Sequence, residues 1–296
     1  MAHLAFFAIV GIGIFIVTPS VQEAFEYCRG IAKSHYENFP IGWFIPKRMR
    51  KYIYAIYAFA RTADDFSDEE KYQGERVERL DEFEKLLDSA VAGKPEGPIF
   101  TAVAETLDKT GIPARLLKDL LTAFRLDVTK KRYCDFRDLE SYCVYSANPI
   151  GRIVLLLFGL SDARLLSFSD KICTGIQLVN HWQDIAIDLS RDRVYLPEED
   201  LRRFGYSYED LKGSRVNDDF RALMRFQVSR TRSLFYEGRP LLDEIGGRER
   251  RLKWQLSLMW LGPMRILEKI EEIDFDVFHS RPTLSKWELA KLFLTS

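Results

Sequence analysis

The stretch Tyr52 to Glu69, YIYAIYAFARTADDFSDE, sets three aspartates into an apolar frame. Ile53, Ile56, Tyr57, Ala60 and Ala63 recur at three- and four-residue spacing, the stripe of a buried helix. On such a helix Asp64 and Asp68 stand one turn apart on one face, roughly 6 Å between their Cβ atoms. Like charges so placed repel, and burying them unpaired is costly. A cation between them resolves the conflict. Carboxylate oxygens suit hard ions, and Mg²⁺ in particular is held by one or two carboxylates together with substrate phosphates. Arg61, one turn earlier, is placed to add a phosphate contact. Asp65 either points away or supports the site from behind.

A second cluster answers the first, in Gln177 to Tyr195, QLVNHWQDIAIDLSRDRVY. Gln177, Asn180, Asp184 and Asp188 follow i, i+3, i+7, i+11 and share one helical face, with Ile176, Val179, Ile185 and Leu189 on neighbouring faces. A solvated acidic helix face is the ordinary explanation of either cluster alone. Two such faces, each framed by apolar residues, fit a shared cavity better. Opposed across it, they make a site for a Mg²⁺-bound diphosphate.

The elements that must position these faces are helices. Thr18-Pro19-Ser20 starts one that runs to about Ala32, His35 to Pro40 breaks the chain, and Pro46 opens the helix of the first aspartates. Helices are then predicted over Gly74–Val91, Phe100–Thr110 and Arg115–Thr129, and over Phe136–Gly159 with a kink at Pro149. Asp170–Leu189 carries the second cluster, and Pro197 starts a short helix. Val216–Ile245, Arg248–Ile273 and Leu284–Leu294 follow. Strand alternation, GxGxxG, Walker loop and repeats are absent, and no composition shift marks a boundary, so the chain reads as one all-α domain.

The totals agree. At 296 residues a large core is easily buried. Lys plus Arg number 43 against Asp plus Glu 44, a balance that argues against a nucleic-acid partner. The 21 phenylalanines can line a cavity for an apolar substrate, though such residues are more often core. Cys28, Cys134, Cys143 and Cys173 have no CxxC spacing and there are four histidines, so no zinc site is expected and a reduced, cytoplasmic protein is. Residues 1–19 form an apolar N-terminal extension. Leu4 to Val17 is charge-free, yet shorter than the ~20 residues of a spanning helix. Three readings compete for it: a monotopic membrane anchor, a helix packed on the body, or a stretch upstream of the true start codon. Membrane contact is the one carried forward.

Four segments carry a resemblance. SHYENFP at Ser34 to Pro40, AIYAFARTADD, YCVYSANPIGR at Tyr142 to Arg152, and NHWQDIAIDLSRDRVYLPEEDL at Asn180 to Leu201 resemble the squalene and phytoene synthase family from about Ser20 to the C-terminus. In detail they are most like its bacterial hopanoid-pathway branch, in which presqualene diphosphate becomes hydroxysqualene. The resemblance implies a helical isoprenoid-synthase bundle around a central cavity. It implies two or three Mg²⁺ ions with the diphosphate, on Asp64, Asp68, Asn180, Asp184 and Asp188. It places His35, Asn38, Phe39, Tyr57 and Arg61 around the diphosphate and the start of the isoprenoid chain, with Gln177 facing the cavity. Tyr142 falls beside the carbocation. One departure matters: where carotenoid-type relatives carry lysine, this chain has Glu37, so the phosphate clamp passes to Arg61, Arg191 or Arg193. For the last two, a salt bridge with Asp188 or Asp192 is an equal expectation.

On this reading the enzyme converts presqualene diphosphate to hydroxysqualene and needs no NADPH. Ser146 and Asn148, beside Pro149, are expected to hold the water that ends the reaction, unless Asn148 only satisfies a kinked backbone. Two alternatives stand: condensation of two farnesyl or geranylgeranyl diphosphates to presqualene diphosphate, squalene or phytoene, and a lipid-binding assembly subunit without activity. The expected location is cytoplasmic, peripheral at the inner face of the cytoplasmic membrane, with handover to neighbouring pathway enzymes.

Overall fold

The aspartate-bearing helices lie where two hydrophobic clusters meet. The structure is a computed structural model and describes residues 19–34, 45–245 and 249–295. The extension up to Thr18 and the segment holding His35, Asn38 and Phe39 lie outside the described residues. Among those described there is no strand.

α1 (Val21–Ser34) opens on a reciprocal cap: the Glu23 amide donates to Ser20 Oγ, and Ser20 N–H and hydroxyl donate to the Glu23 carboxylate. α2 (Lys47–Asp68) begins after Pro46, as expected. It buries Ile53, Ile56 and Ala63 against α3 (Arg76–Val91), α4 (Gly97–Thr110) and α5 (Arg115–Thr129), with Phe59, Phe83 and Phe100 at the centre. α6 (Phe136–Ser146), α8 (Ala163–Gln183), α12 (Asp218–Gly238) and α14 (Arg250–Glu272) share the second cluster. α7 (Asn148–Leu157) joins the two, giving Ile153 and Leu157 to the first and Leu155 to the second. The remaining helices are short: α9 (Ile185–Ser190), α10 (Glu198–Arg203), α11 (Tyr208–Lys212), α13 (Pro240–Ile245) and α15 (Lys286–Thr295). The architecture is all-α and single-domain.

Several boundaries differ from expectation. The single helix expected over Phe136–Gly159 is two, broken at Ala147, and Pro149 sits in the first turn of α7, where a missing N–H costs little. Gly74–Val91 starts at Arg76, after a 3₁₀ turn at Glu70–Tyr72. α8 starts at Ala163 because Asp162 caps it, Oδ1 accepting from the amides of Arg164 and Leu165. It ends one residue short of Asp184. Pro240 separates α12 from α13, and α11 was not anticipated.

α8 and α12 pack closely enough to require glycine. A Cβ on Gly238 would sit 2.6 Å from Ile172 Cγ1 and 2.8 Å from the Phe168 carbonyl, and one on Gly175 would sit 2.9 Å from the Phe235 ring. Gly30, on the exposed side of α1, has nothing within 4 Å. Gly238→Ala is therefore expected to cost about 1–3 kcal/mol through overpacking, and Gly30→Ala to gain about 0.5–1 kcal/mol from helix propensity. At roughly 2 °C per kcal/mol for a chain of this size, calorimetric melting separates the two. Equal shifts would remove the argument for close α8–α12 contact.

Candidate active site

Asp64 and Asp68, in the last two turns of α2, face Asp184 and Asp188 across an open cavity of about 200 Å³. Asp127, Tyr142, Gln177, Asn180, His181, Arg193 and Tyr195 complete its lining. The structure thus brings together eight residues expected from sequence: Asp64, Asp68, Tyr142, Gln177, Asn180, Asp184, Asp188 and Arg193. The α8 face survives the break at Asp184. The Asp184 amide still donates to the Asn180 carbonyl at 2.9 Å, and the Asp188 amide to the Asp184 carbonyl at 2.8 Å.

Arginines hold the carboxylates. Arg61 bridges Asp64 at 3.0 Å and Asp65 at 2.6 Å, so Asp65 orients Arg61 rather than facing the cavity. Arg193 donates to Asp68 Oδ1 at 2.9 Å, with Arg191 at 3.8 Å from the other oxygen. The salt bridges expected with Asp188 or Asp192 are not the ones formed. Asp192, at a positive φ of 57°, is taken instead by Arg132 at 2.5 Å, and the turn it makes delivers the Arg193 amide to the Asp188 carbonyl at 2.9 Å. Arg281, from the segment before α15, chelates Asp184 with contacts of 2.5 and 3.1 Å. Among the described residues no side chain hydrogen-bonds or ion-pairs with Asp188. Burial, and then the Asp184 charge, push its carboxyl up to about 6.

The opposite wall is aromatic. The Tyr142 hydroxyl donates to Asp127 Oδ1 at 2.9 Å, and Tyr195 reaches the same oxygen at 3.4 Å. Tyr195 lies between Tyr133, at 5.5 Å and 24°, and His181, at 3.6 Å and 15°. Burial holds His181 down to about 3, a neutral imidazole at any working pH. It also pushes Asp127 up to about 6 against the two phenol hydrogen bonds. Asp127, His181, Tyr195 and Arg281 were missed from sequence. Two of them had a signal: His181 lies between Gln177 and Asp184 at four- and three-residue spacing, and Asp127 continues the buried stripe Leu116, Leu120, Ala123. Arg281 had none, being 97 residues from its partner.

Ser146 and Asn148 are not at this cavity. The Ser146 hydroxyl donates to the Tyr142 carbonyl at 3.1 Å, and Asn148, 6% exposed, accepts from Thr174 Oγ1 at 3.0 Å. The amide ties α7 to α8, and the expected water site is not formed there. Tyr57 and Arg61 stand on the cavity's α2 side without lining it.

Whether the residues fit a metal rests on Asp188, a largely buried carboxylate with no side-chain partner among the described residues. Among the described residues no group of three or more acidic, histidine or cysteine side chains could hold a metal by itself. Two facing aspartate pairs suit Mg²⁺, which takes few carboxylates and completes its shell with phosphate and water. Asp64, Asp68, Asp184 and Asp188, with Asn180, would hold it.

Residues 21–288, which include every part of this cavity, match the squalene/phytoene synthase family. The chain belongs to that family. It is 38% identical to a hydroxysqualene synthase of Rhodopseudomonas palustris over 242 residues, 80% of each chain. It is 30% identical to a phytoene synthase of Arthrospira platensis over 287 residues, 92% of each. Among solved structures, the squalene synthase HpnC of Alicyclobacillus acidocaldarius superposes with a TM-score of 0.82 at 38% identity, covering 88% of this chain and 97% of that one. This squalene/phytoene synthase family member is an isoprenoid synthase, as its sequence motifs implied.

The raised carboxyls make stability depend on pH. Each aspartate titrates near 3.9 when unfolded, so its contribution is fully present below about pH 4 and is lost as pH rises through about 6. In chelator, the melting temperature should fall between pH 5 and 7.5. Asp188→Asn should be more stable than the parent at pH 7.5, by about 1 kcal/mol after discounting for solvent screening, and lose that advantage near pH 4.5. A constant difference across this range would contradict the buried, unpaired state of Asp188.

Proposed function

We propose that the protein converts presqualene diphosphate to hydroxysqualene, with loss of diphosphate and capture of the carbocation by water. The observation that carries this reading is the pair of aspartate faces meeting across one cavity from an aromatic wall. Similarity to hydroxysqualene synthases in sequence and to HpnC in structure supports the branch. The chain's own residues divide the work. The aspartates, with Arg61, Arg191 and Arg193 behind them, fix the diphosphate end of the substrate. Bound Mg²⁺ would neutralise charge on the departing diphosphate. Tyr142, its proton committed to Asp127, presents an electron-rich ring and no mobile proton beside the cation. His181 stays neutral and adds no positive charge beside the cation. The amides of Gln177 and Asn180 are neutral polar groups of the cavity that can orient water. No reductant is required.

Condensation of two farnesyl or geranylgeranyl diphosphates is the second reading, favoured by full-length similarity to phytoene synthases. Labelled presqualene diphosphate with Mg²⁺, without and then with NADPH, separates the two. Hydroxysqualene formed without NADPH is expected, whereas squalene formed only with NADPH, or turnover of prenyl diphosphates alone, would reassign the step. Asp64→Asn and Asp184→Asn should each lower turnover by several decades with unchanged circular dichroism. Near-normal turnover in either, or in excess chelator, would remove the metal assignment.

We further propose contact with the inner face of the cytoplasmic membrane through residues 1–19. The charge-free run Leu4 to Val17 is shorter than the ~20 residues of a spanning helix, so such contact would be interfacial. Deleting residues 1–19 should move the protein to the soluble fraction and preserve activity on detergent-dispersed substrate. Loss of folding instead would assign that stretch to the body.

A further inference from the structure

Asp184 is where the second aspartate helix meets the chain's C-terminal segment. Arg281 uses both of its oxygens, Nε to Oδ1 and Nη2 to Oδ2. The segment presenting Arg281 is anchored independently of that ion pair. The Gln183 side-chain amide donates to the Pro282 carbonyl, Pro282 is buried, and Leu284 packs on the larger core. The guanidinium itself is free to move outward: the Arg281 side chain is 47% exposed, against 12% for Arg193 at Asp68.

We propose that Arg281 is a phosphate-binding residue stored on Asp184: it fills that carboxylate while the cation is absent, and passes to the diphosphate when the cation takes Asp184. The inference rests on the metal and diphosphate reading of the cavity. A divalent cation needs the oxygens that Arg281 now holds, so the two compete. An ion pair this open to water is weak enough to exchange. The planar fork that fits a carboxylate fits a phosphate equally well. The backbone anchor at Pro282 keeps the released side chain beside the site, so the positive charge is redirected rather than lost. No covalent bond changes in this exchange.

Two binding measurements on the full chain test it: Mn²⁺ alone, followed by electron paramagnetic resonance, and inorganic pyrophosphate with Mg²⁺, followed by calorimetry. Arg281→Met should bind Mn²⁺ alone about two- to fivefold more tightly, because a weak competing ion pair is gone. It should bind pyrophosphate with Mg²⁺ about tenfold more weakly, because a charge-assisted fork is lost. Arg281→Lys, which keeps the charge but cannot span both oxygens, should fall between on both measures, and serves alone if the methionine variant fails to fold. Unchanged Mn²⁺ affinity in both variants overturns the proposal. So does parallel weakening of both ligands, the pattern of a merely structural arginine. A parent protein that binds neither probe overturns the metal and diphosphate reading itself, a result distinct from either.

Discussion

Five aspartates open onto one cavity, and the rest of the structure is arranged so that the fold tolerates them. Asp64, Asp68, Asp127, Asp184 and Asp188 share that cavity's lining, and Arg61, Arg193 and Arg281 each hold one of three of these carboxylates within 3.0 Å. The two left without an arginine, Asp127 and Asp188, are those pushed up to about 6. Opposite charge thus meets three of the carboxylates and a tendency to hold a proton relieves the other two, and at Asp64 burial still raises the carboxyl despite Arg61. The arginines come from different parts of the chain: Arg61 from the same helix as its partner, Arg193 from the turn after α9, Arg281 from the segment before α15. The chain thus folds its own cations onto three of the carboxylates that it gathers.

Those cations are positioned by packing far from the chemistry. Arg193 and Tyr195 sit on an extended stretch that pairs with residues 131–134, the Val194 amide donating to the Lys131 carbonyl and the Glu198 amide to the Tyr133 carbonyl. That stretch runs into α10, where Asp200, 2% exposed, takes both ends of Arg230 at 2.8 and 3.1 Å and the Gln227 amide at 2.8 Å. Arg230 lies over the rings of Phe136 and Phe226, 4.1 and 4.3 Å from their centroids. A buried pair of this kind adds little net stability against an apolar replacement, but breaking it from one side leaves a charge stranded. Its consequence here is geometric: α12 fixes Asp200, Asp200 fixes the approach to α10, and Tyr195 is thereby held against His181 and Asp127.

What the sequence disclosed follows from what is local. The apolar stripe of α2, the caps at Ser20 and Pro46, and the phase of Gln177, Asp184 and Asp188 are all set within a few turns, and they located both aspartate faces. The kink expected at Pro149 is a full break at Ala147, and the break at Asp184 was not legible, because apolar periodicity continues across it. The pairing of the arginines was not legible either. Arg193 meets Asp68 across 125 residues and Arg281 meets Asp184 across 97, and no spacing rule reaches so far. Asn148 is instructive in the other direction. Its polar type beside a proline suggested a water site, but burial had already committed its oxygen to Thr174, since a buried amide must find a partner somewhere.

The same helix that carries the second aspartates also sets the direction in which a substrate with a charged head and an apolar body must lie. Along the α8–α9 face the cavity residues run Gln177, His181, Asp184, Asp188, from neutral to acidic over about 16 Å of helix. His181 is neutral because it is buried, and it stacks on Tyr195, so on this face the acidic residues give way to an aromatic layer. On the proposed reading, a diphosphate neutralised by cations would lie toward Asp184 and Asp188, where Asp64 and Asp68 face them across the cavity. The carbocation that this reading leaves behind would meet Tyr142, whose hydroxyl hydrogen is already given to Asp127. Charge separation in the proposed reaction would run along this axis, with the leaving anion at the acidic end and the positive carbon at the aromatic one. That gradient depends on His181 remaining uncharged, which ties the polarity of the whole cavity to the packing of a single ring.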